Sequence, residues 1–220
     1  VSLLDAVLEA HGGLERWRRV KKVELKVDGG GIALSLKGQG SALRGLEATT
    51  DIVEGHVSSA TLGTFSTDQT RPPGIAARFR WTASDIRHFS GYALWGYLNT
   101  PFYFAYEDVE VKELSGRRLR VSHPSSPPVH SRVQTFAFNP DALLTHIDYA
   151  AEVFLGRLGR VRQHCLEHKS IDGLVFYTKR RVVPHGLPGP ALISLRFSDI
   201  RVTDRMPAAV GDPADQGFVP

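Results

Sequence analysis

The chain has 220 residues, 42% of them hydrophobic and 23% charged, and carries a net charge of +4 at pH 7. That length is enough to bury a real core, and the composition is that of an ordinary globule, read as one domain spanning residues 1–220. The basic residues are scattered singly along strand-like stretches such as RRLRV and TKRRVV. This is not the clustered stripe of a nucleic-acid binder, so no nucleic-acid partner is expected.

Cys165 is the one cysteine, which excludes an intrachain disulfide. No apolar run approaches the ~18 residues of a membrane-spanning helix, so no transmembrane segment is expected. Val1 begins directly in a helix-like segment without signal-peptide anatomy, which favours the cytoplasm. Removal of a leader leaves the same start and points to the periplasm instead.

In chain order, Ser2 and Asp5 cap a short helix with Leu4, Val7, Leu8 and His11 on one side, and Gly12-Gly13 stop it. A further helical turn from Leu14 to Arg19 carries Trp17. The period then becomes two. Val23, Leu25 and Val27 alternate with Lys22, Glu24 and Lys26, which predicts a half-buried strand. Asp28-Gly29-Gly30-Gly31 reads as a turn, with Ile32, Leu34 and Leu36 on the return strand of a hairpin. Weaker alternation predicts strands at 44–54, 56–62, 64–68 and 76–81, with Arg71-Pro72-Pro73-Gly74 breaking the run.

Ser84 or Asp85 is placed to cap a helix running to Leu98, with Gly91 and Gly96 lowering its propensity. Ile86, Phe89, Ala93 and Tyr97 share one side of it and Tyr92 flanks them. Pro101 ends this helix or bends it into a second short one through Phe104. Of the chain's 11 Phe, 6 Tyr and 3 Trp residues, eight lie between Phe89 and Tyr106. The remainder reads as hairpins. Val109–Val111 and Leu119–Val121 flank Ser115-Gly116, and Pro124 to Pro128 is a loop. Val133–Phe138 and Leu143–Val153 flank Asn139-Pro140-Asp141-Ala142, and Val161–Ser170 and Val175–Val183 flank Asp172-Gly173. A loop from Pro184 to Pro190 leads to a last strand, Ala191–Val202.

Turns this short force antiparallel neighbours, and nine to eleven twisted strands cannot stay flat. The expected fold is therefore α+β: a wide, strongly curved antiparallel sheet, a half-barrel, with the N-terminal helix and the aromatic helical insert on its concave face. The segments AHGGLERWRRVKKVELKV, FNPDALLTHIDY, HKSIDGLVFYTKRRVV and FSDIRVTDRMP, with GFVP at the close, fall in an order that resembles the LolA/LolB-like lipoprotein-carrier superfamily. They are most similar to a set of uncharacterised bacterial proteins distantly related to those carriers. The resemblance implies a curved sheet with a hydrophobic interior able to take an acyl chain, and it brings no catalytic residues with it. The carriers' lid helices are rich in aliphatics, whereas Tyr, Phe and Trp dominate the insert here.

Phe89, Tyr92, Trp95, Tyr97, Phe102 and Tyr103 have two readings. They line an apolar pocket whose Tyr hydroxyls orient a ligand headgroup, or they form the plug that closes the sheet. His146 and Asp148 share one face of a strand, as do His164 and His168 on the next. Pairing across the Phe154–Gly159 loop brings His146 near His168, or near Glu167 and Cys165 after a one-residue slip. Two His with Asp148 suit a divalent metal or general acid–base work, but neither spacing is a recognised metal signature, and a solvated strand face explains the same residues. No metal and no cofactor is expected. Cys165 reads as a small strand residue, and Gly29-Gly30-Gly31 as a turn with no phosphate-cradle context. Lys179, Arg180 and Arg181 meet an anionic headgroup at the rim, or form a solvated face. The sequence thus favours a non-enzymatic binder or carrier of a hydrophobic small molecule, a lipid or fatty acid. The alternatives are a small enzyme using His146, Asp148 and His168 on an apolar substrate, and an interaction module with a filled interior.

Overall fold

The computed structural model describes residues 1–63, 65–66, 80–124, 129–151, 159–187 and 189–205. They form one antiparallel sheet of 11 strands with helices laid against it. The elements are α1 (Leu3–Ala10), α2 (Leu14–Arg18), β1 (Val20–Gly30), α3 (Ile32–Leu36), β2 (Leu46–Val53), β3 (His56–Leu62), β4 (Phe65–Ser66) and α4 (Ala83–Asn99). A 3-10 turn at Phe102–Ala105 follows, then β5 (Glu110–Leu114), β6 (Arg118–Ser122), β7 (Val133–Phe138) and β8 (Leu144–Ala150). The chain closes with β9 (Arg160–Ile171), β10 (Leu174–Pro184) and β11 (Ile193–Asp204). Arg71-Pro72-Pro73-Gly74, most of the strand expected at 76–81 and most of the loops at 124–128 and 154–159 lie outside the described residues, as does the chain from Met206 onward.

The strand order is β4-β3-β2-β1-β11-β10-β9-β8-β7-β6-β5. The first and last strands pair in the middle, Val23 opposite Val202 and Val27 opposite Phe197. β4 and β5 therefore end up at opposite edges. Everything between them in sequence has to cross a face of the sheet, and α4 is the helix in that connection. This explains why the aromatic residues are gathered in one segment: the crossover has to fill the trough it traverses. Ile86, Phe89, Tyr92, Ala93, Leu94, Tyr97 and Leu98 are all buried. So are His88, Ser90 and Asn99, which is the pattern of a helix covered on more than one side and not of an amphipathic surface helix.

The ends of α4 are fixed by local chemistry. Its N-cap is Thr82, two residues before Ser84 and three before Asp85, the two expected caps. The Thr82 hydroxyl accepts from the Asp85 backbone N–H, and the Asp85 side chain accepts from the Thr82 backbone N–H. Asp85 is thus the third residue of a reciprocal capping box, a Thr-Ala-Ser-Asp signature that a search for a lone cap overlooks. Thr82→Ala is expected to cost about 1 kcal/mol, read as a lower urea midpoint at unchanged slope. At the other end Pro101 has no N–H to offer the carbonyl of Tyr97. That carbonyl turns to the sheet and accepts from the Tyr177 hydroxyl at 3.3 Å.

The helix from Ser2 forms as expected, with a capping box between Ser2 and Asp5. The Leu3 N–H donates to Glu113 on β5, and Val175 of β10 donates to the His11 carbonyl just beyond the last turn. α1 therefore spans the sheet between those strands. The hairpin expected at residues 23–36 does not form. Ile32–Leu36 is one turn of helix, with Ser35 N–H donating to the Gly31 carbonyl at 3.1 Å. The reason lies in the sheet: β1 already has β11 on one edge and β2 on the other, so no edge remains for a return strand. Of the strand expected at 64–68, the described part is Phe65–Ser66.

Candidate functional site

The concave face and α4 meet in an interior rich in aromatic rings set among aliphatic side chains. Phe89 and Tyr92 pack edge to face at 5.6 Å, Trp95 lies 5.3 Å from Tyr103, and Phe104 packs on Phe136 at 4.7 Å. Burial of these rings contributes on the order of 2 kcal/mol each. Two narrow crevices run along opposite sides of α4. One is lined by Tyr92, Trp95, Tyr97 and Tyr103 with His123, His130, Phe136 and Ile147, the other by Phe89, Ala93, Leu94 and Tyr97 with Val27, Leu62, Leu195 and Phe197. Each holds about 20 Å³ of free space, room for roughly one water. With α4 seated in this way, the aromatic set fills the trough.

The six aromatic residues singled out from sequence are thus divided by the structure. Four of them, Tyr92, Trp95, Tyr97 and Tyr103, meet at the first crevice, and Phe89 and Tyr97 at the second. Phe102 faces elsewhere. It stacks on Trp17 at 4.6 Å and lines an open cleft of about 490 Å³ with Gly55, His56 and Tyr106. Gly96 opens onto free space: a Cβ there meets nothing within 4 Å. Trp95 beside it is only partly buried, so this stretch of α4 is the mouth of the first crevice.

Polar groups at the crevices are held neutral. Desolvation above all, then the positive charge of Arg180, pushes His130 down to about 3, and its Nε2 lies 3.0 Å from the Tyr97 hydroxyl. Burial brings His123 to about 4, and its Nε2 has no hydrogen-bond partner among the described residues. Burial also pushes the Cys165 thiol up to about 12, which leaves it inert as a nucleophile. Arg180, expected at the rim or on a solvated face, is instead inside the core at 2% exposure. It extends from β10 in phase with the buried Phe176 and Val182.

The histidine site takes a different form from the expected one. The β8–β9 register sets His146 opposite His164 and Asp148 opposite Arg162, while His168 pairs with Tyr177 on β10 and lies 2.8 Å from the Leu144 carbonyl. His146 and Asp148 therefore have His164 and His185 as neighbours, and His168 stands apart from them. Arg162 grips Asp148 with two hydrogen bonds of 2.7 Å. Burial works to raise the Asp148 carboxyl, but the hydrogen bonds and charge of Arg162 outweigh it and hold the group below the usual carboxylate range. His146 Nε2 is 4.0 Å and His185 Nε2 3.5 Å from Asp148 Oδ2. A carboxylate occupied in this way is an anchor for the strand pair and a poor general base. Among the described residues, no group of three or more His, Cys, Asp or Glu side chains is placed to hold a metal ion. No helix of the described chain is long and apolar enough to cross a membrane.

No family model and no curated protein matches the sequence. Solved structures similar to this chain over most of its length include the following two. A DUF1329 family protein from Desulfovibrio piger ATCC 29098 aligns over 92% of this chain and 94% of its own, at 10% identity and a TM-score of 0.46. A LolA superfamily protein from Nitrosomonas europaea aligns over 94% of this chain and 96% of its own, at 11% identity and a TM-score of 0.44.

Proposed function

We propose that this protein binds a hydrophobic small molecule of lipid or fatty-acid type between α4 and the concave face of the sheet, and carries it without transforming it. The observation that supports this reading best is the pair of crevices flanking α4: Tyr97 of the helix borders both, the second is lined almost wholly by aromatic and aliphatic side chains, and the first adds His123, His130 and Gln134 to such a wall. An alkyl chain does not fit in about 20 Å³, so α4 moves outward for binding and the two crevices merge beneath it. Gly91 and Gly96 lower the helix's intrinsic stability by roughly 1 kcal/mol each relative to alanine, which makes such a displacement easier. Phe89, Tyr92, Trp95, Tyr97 and Tyr103 then form the wall, and Phe102 anchors the following turn on Trp17. The Asp148 cluster lies on the other face of the strands that bear Val161, Gln163 and Cys165 inward, so nothing in this reading calls on it.

Titration with oleyl alcohol, an uncharged alkyl probe, tests the proposal through the fluorescence of Trp95 at the crevice mouth. The expected result is a saturable change with one probe per chain. Absence of saturable binding up to the probe's solubility limit overturns it. Gly96 supplies the companion test. Gly96→Ala is expected to raise stability by up to ~1 kcal/mol, because it improves helix propensity and meets no neighbour. Gly96→Leu is expected to keep the fold and weaken probe binding at least tenfold, because the larger side chain occupies the mouth.

A further inference from the structure

Arg180 is the one arginine the core encloses among the described residues. Its guanidinium carbon lies 4.3 Å from the ring centre of Tyr97 on α4, 4.2 Å from that of Tyr177 on β10 and 4.2 Å from that of Phe197 on β11. Three rings attract the cation, and its five N–H donors still call for acceptors. Nη2 reaches the Tyr97 carbonyl at 3.4 Å, a long contact to an oxygen that the Tyr177 hydroxyl also uses. Nε and Nη1 have no acceptor among the described residues.

No carboxylate forms an ion pair with Arg180 among the described residues. The acidic groups beside it stay protonated at neutral pH. Burial pushes Tyr177 and Cys165 up to about 12, and Tyr97 higher still. A buried cation left without an anion is a state that proteins ordinarily relieve by pairing, and here the fold supplies every part of a recognition site except the negative charge.

We infer that the ligand carried under α4 is an anionic amphiphile, and that Arg180 recognises its headgroup, a carboxylate or a phosphate. This rests on the proposed carriage of an apolar molecule and adds the polar end. The placement fits such a ligand. Tyr97 covers Arg180 and lines both crevices, and Phe197 lines one of them. Displacement of α4 therefore lifts one ring from the cation just as the space beside it opens. Arg180 itself lines neither crevice with α4 seated, so an oxyanion meets its donors Nε and Nη1 in a charge-assisted hydrogen bond only once Tyr97 has been lifted. The alkyl tail then runs along the aromatic wall.

The test compares oleate, oleyl phosphate, oleyl alcohol and inorganic phosphate on the intact protein at pH 8 by calorimetric titration. At least one of the two anionic alkyl probes is expected to bind tenfold or more tighter than the alcohol, and the tighter of the two identifies the headgroup. Inorganic phosphate is expected to bind weakly or not at all, and phosphate binding as tight as that of oleyl phosphate overturns the amphiphile assignment. Arg180→Met is expected to erase the preference for the anion while alcohol binding survives, and Arg180→Lys to retain part of it. Equal affinity for alcohol and anions in the unaltered protein overturns the inference, whether or not either variant folds, and leaves carriage standing. An anion preference that persists in folded Arg180→Met overturns it too. Failure of all three alkyl probes to bind removes both readings together.

Discussion

Between pH 7 and pH 5 the unfolding free energy is expected to fall by about 4 kcal/mol through two buried imidazoles alone. His11 is wholly buried and His123 is 7% exposed, and burial brings both down to about 4. In the unfolded chain these imidazoles take up protons near 6.5. In the fold they refuse them until about 4. The unfolded state therefore binds more protons throughout that window. The full stabilisation is present above pH 6.5 and is lost as the pH falls toward 4, at about 1.4 kcal/mol per histidine per pH unit. His11 Nδ1 lies 2.8 Å from the Val7 carbonyl, while Nε2 is enclosed with no partner among the described residues to stabilise a second proton. The carboxylates with depressed values, Asp148 and Glu167, act in the same direction at lower pH. Urea unfolding at pH 7 and pH 5 checks the figure, and His123→Asn is expected to remove about half of the difference. A free energy that is flat between the two pH values contradicts the placement of these side chains.

A single methyl group at Gly12 is expected to cost at least ~3 kcal/mol. Gly12 adopts φ +112, a conformation that side chains disfavour, and a Cβ there falls on the carbonyl oxygen of Gly173 in the β9–β10 turn. That neighbour is backbone, so it cannot rotate away. The Gly12 N–H closes the end of α1 on the Glu9 carbonyl at 2.9 Å, so relief of the clash has to detach α1 from the sheet. Gly186→Ala is the control. Gly186 also has positive φ, +73, but nothing lies within 4 Å of the added atom, so backbone strain of about 1–2 kcal/mol is all it should show. Chemical denaturation of the two variants separates clash from strain, and equal costs argue that α1 does not sit against the hairpin as described.

The hairpins from β5 to β11 are legible in the sequence because each turn is marked by Gly, Asn, Pro or Asp between alternating runs. The aromatic crossover is legible too, since eight large rings in one short stretch of a β-rich chain belong against the sheet, either filling its interior or lining a pocket there. What fails is whatever depends on partners distant in sequence. Ile32, Leu34 and Leu36 have the period of a strand, and only the occupancy of both edges of β1 turns them into a helix. His146 meets His164, and not His168, through the register of β8 on β9. Arg180 was marked by its phase, two residues from Thr178 and Val182 on the buried side of β10. Its charge argued for the surface, and the three rings that receive it come from three separate elements.

The claim on which the rest depends is that α4 is a movable cover over an apolar site. Spin labels at Arg87 on α4 and Ser194 on β11, both exposed positions, report the separation of helix and sheet by double electron–electron resonance. With saturating oleyl alcohol the account predicts a longer distance, an outward shift by about the thickness of an alkyl chain. A distribution that stays unchanged under saturation contradicts it, and leaves the aromatic helix as a fixed plug.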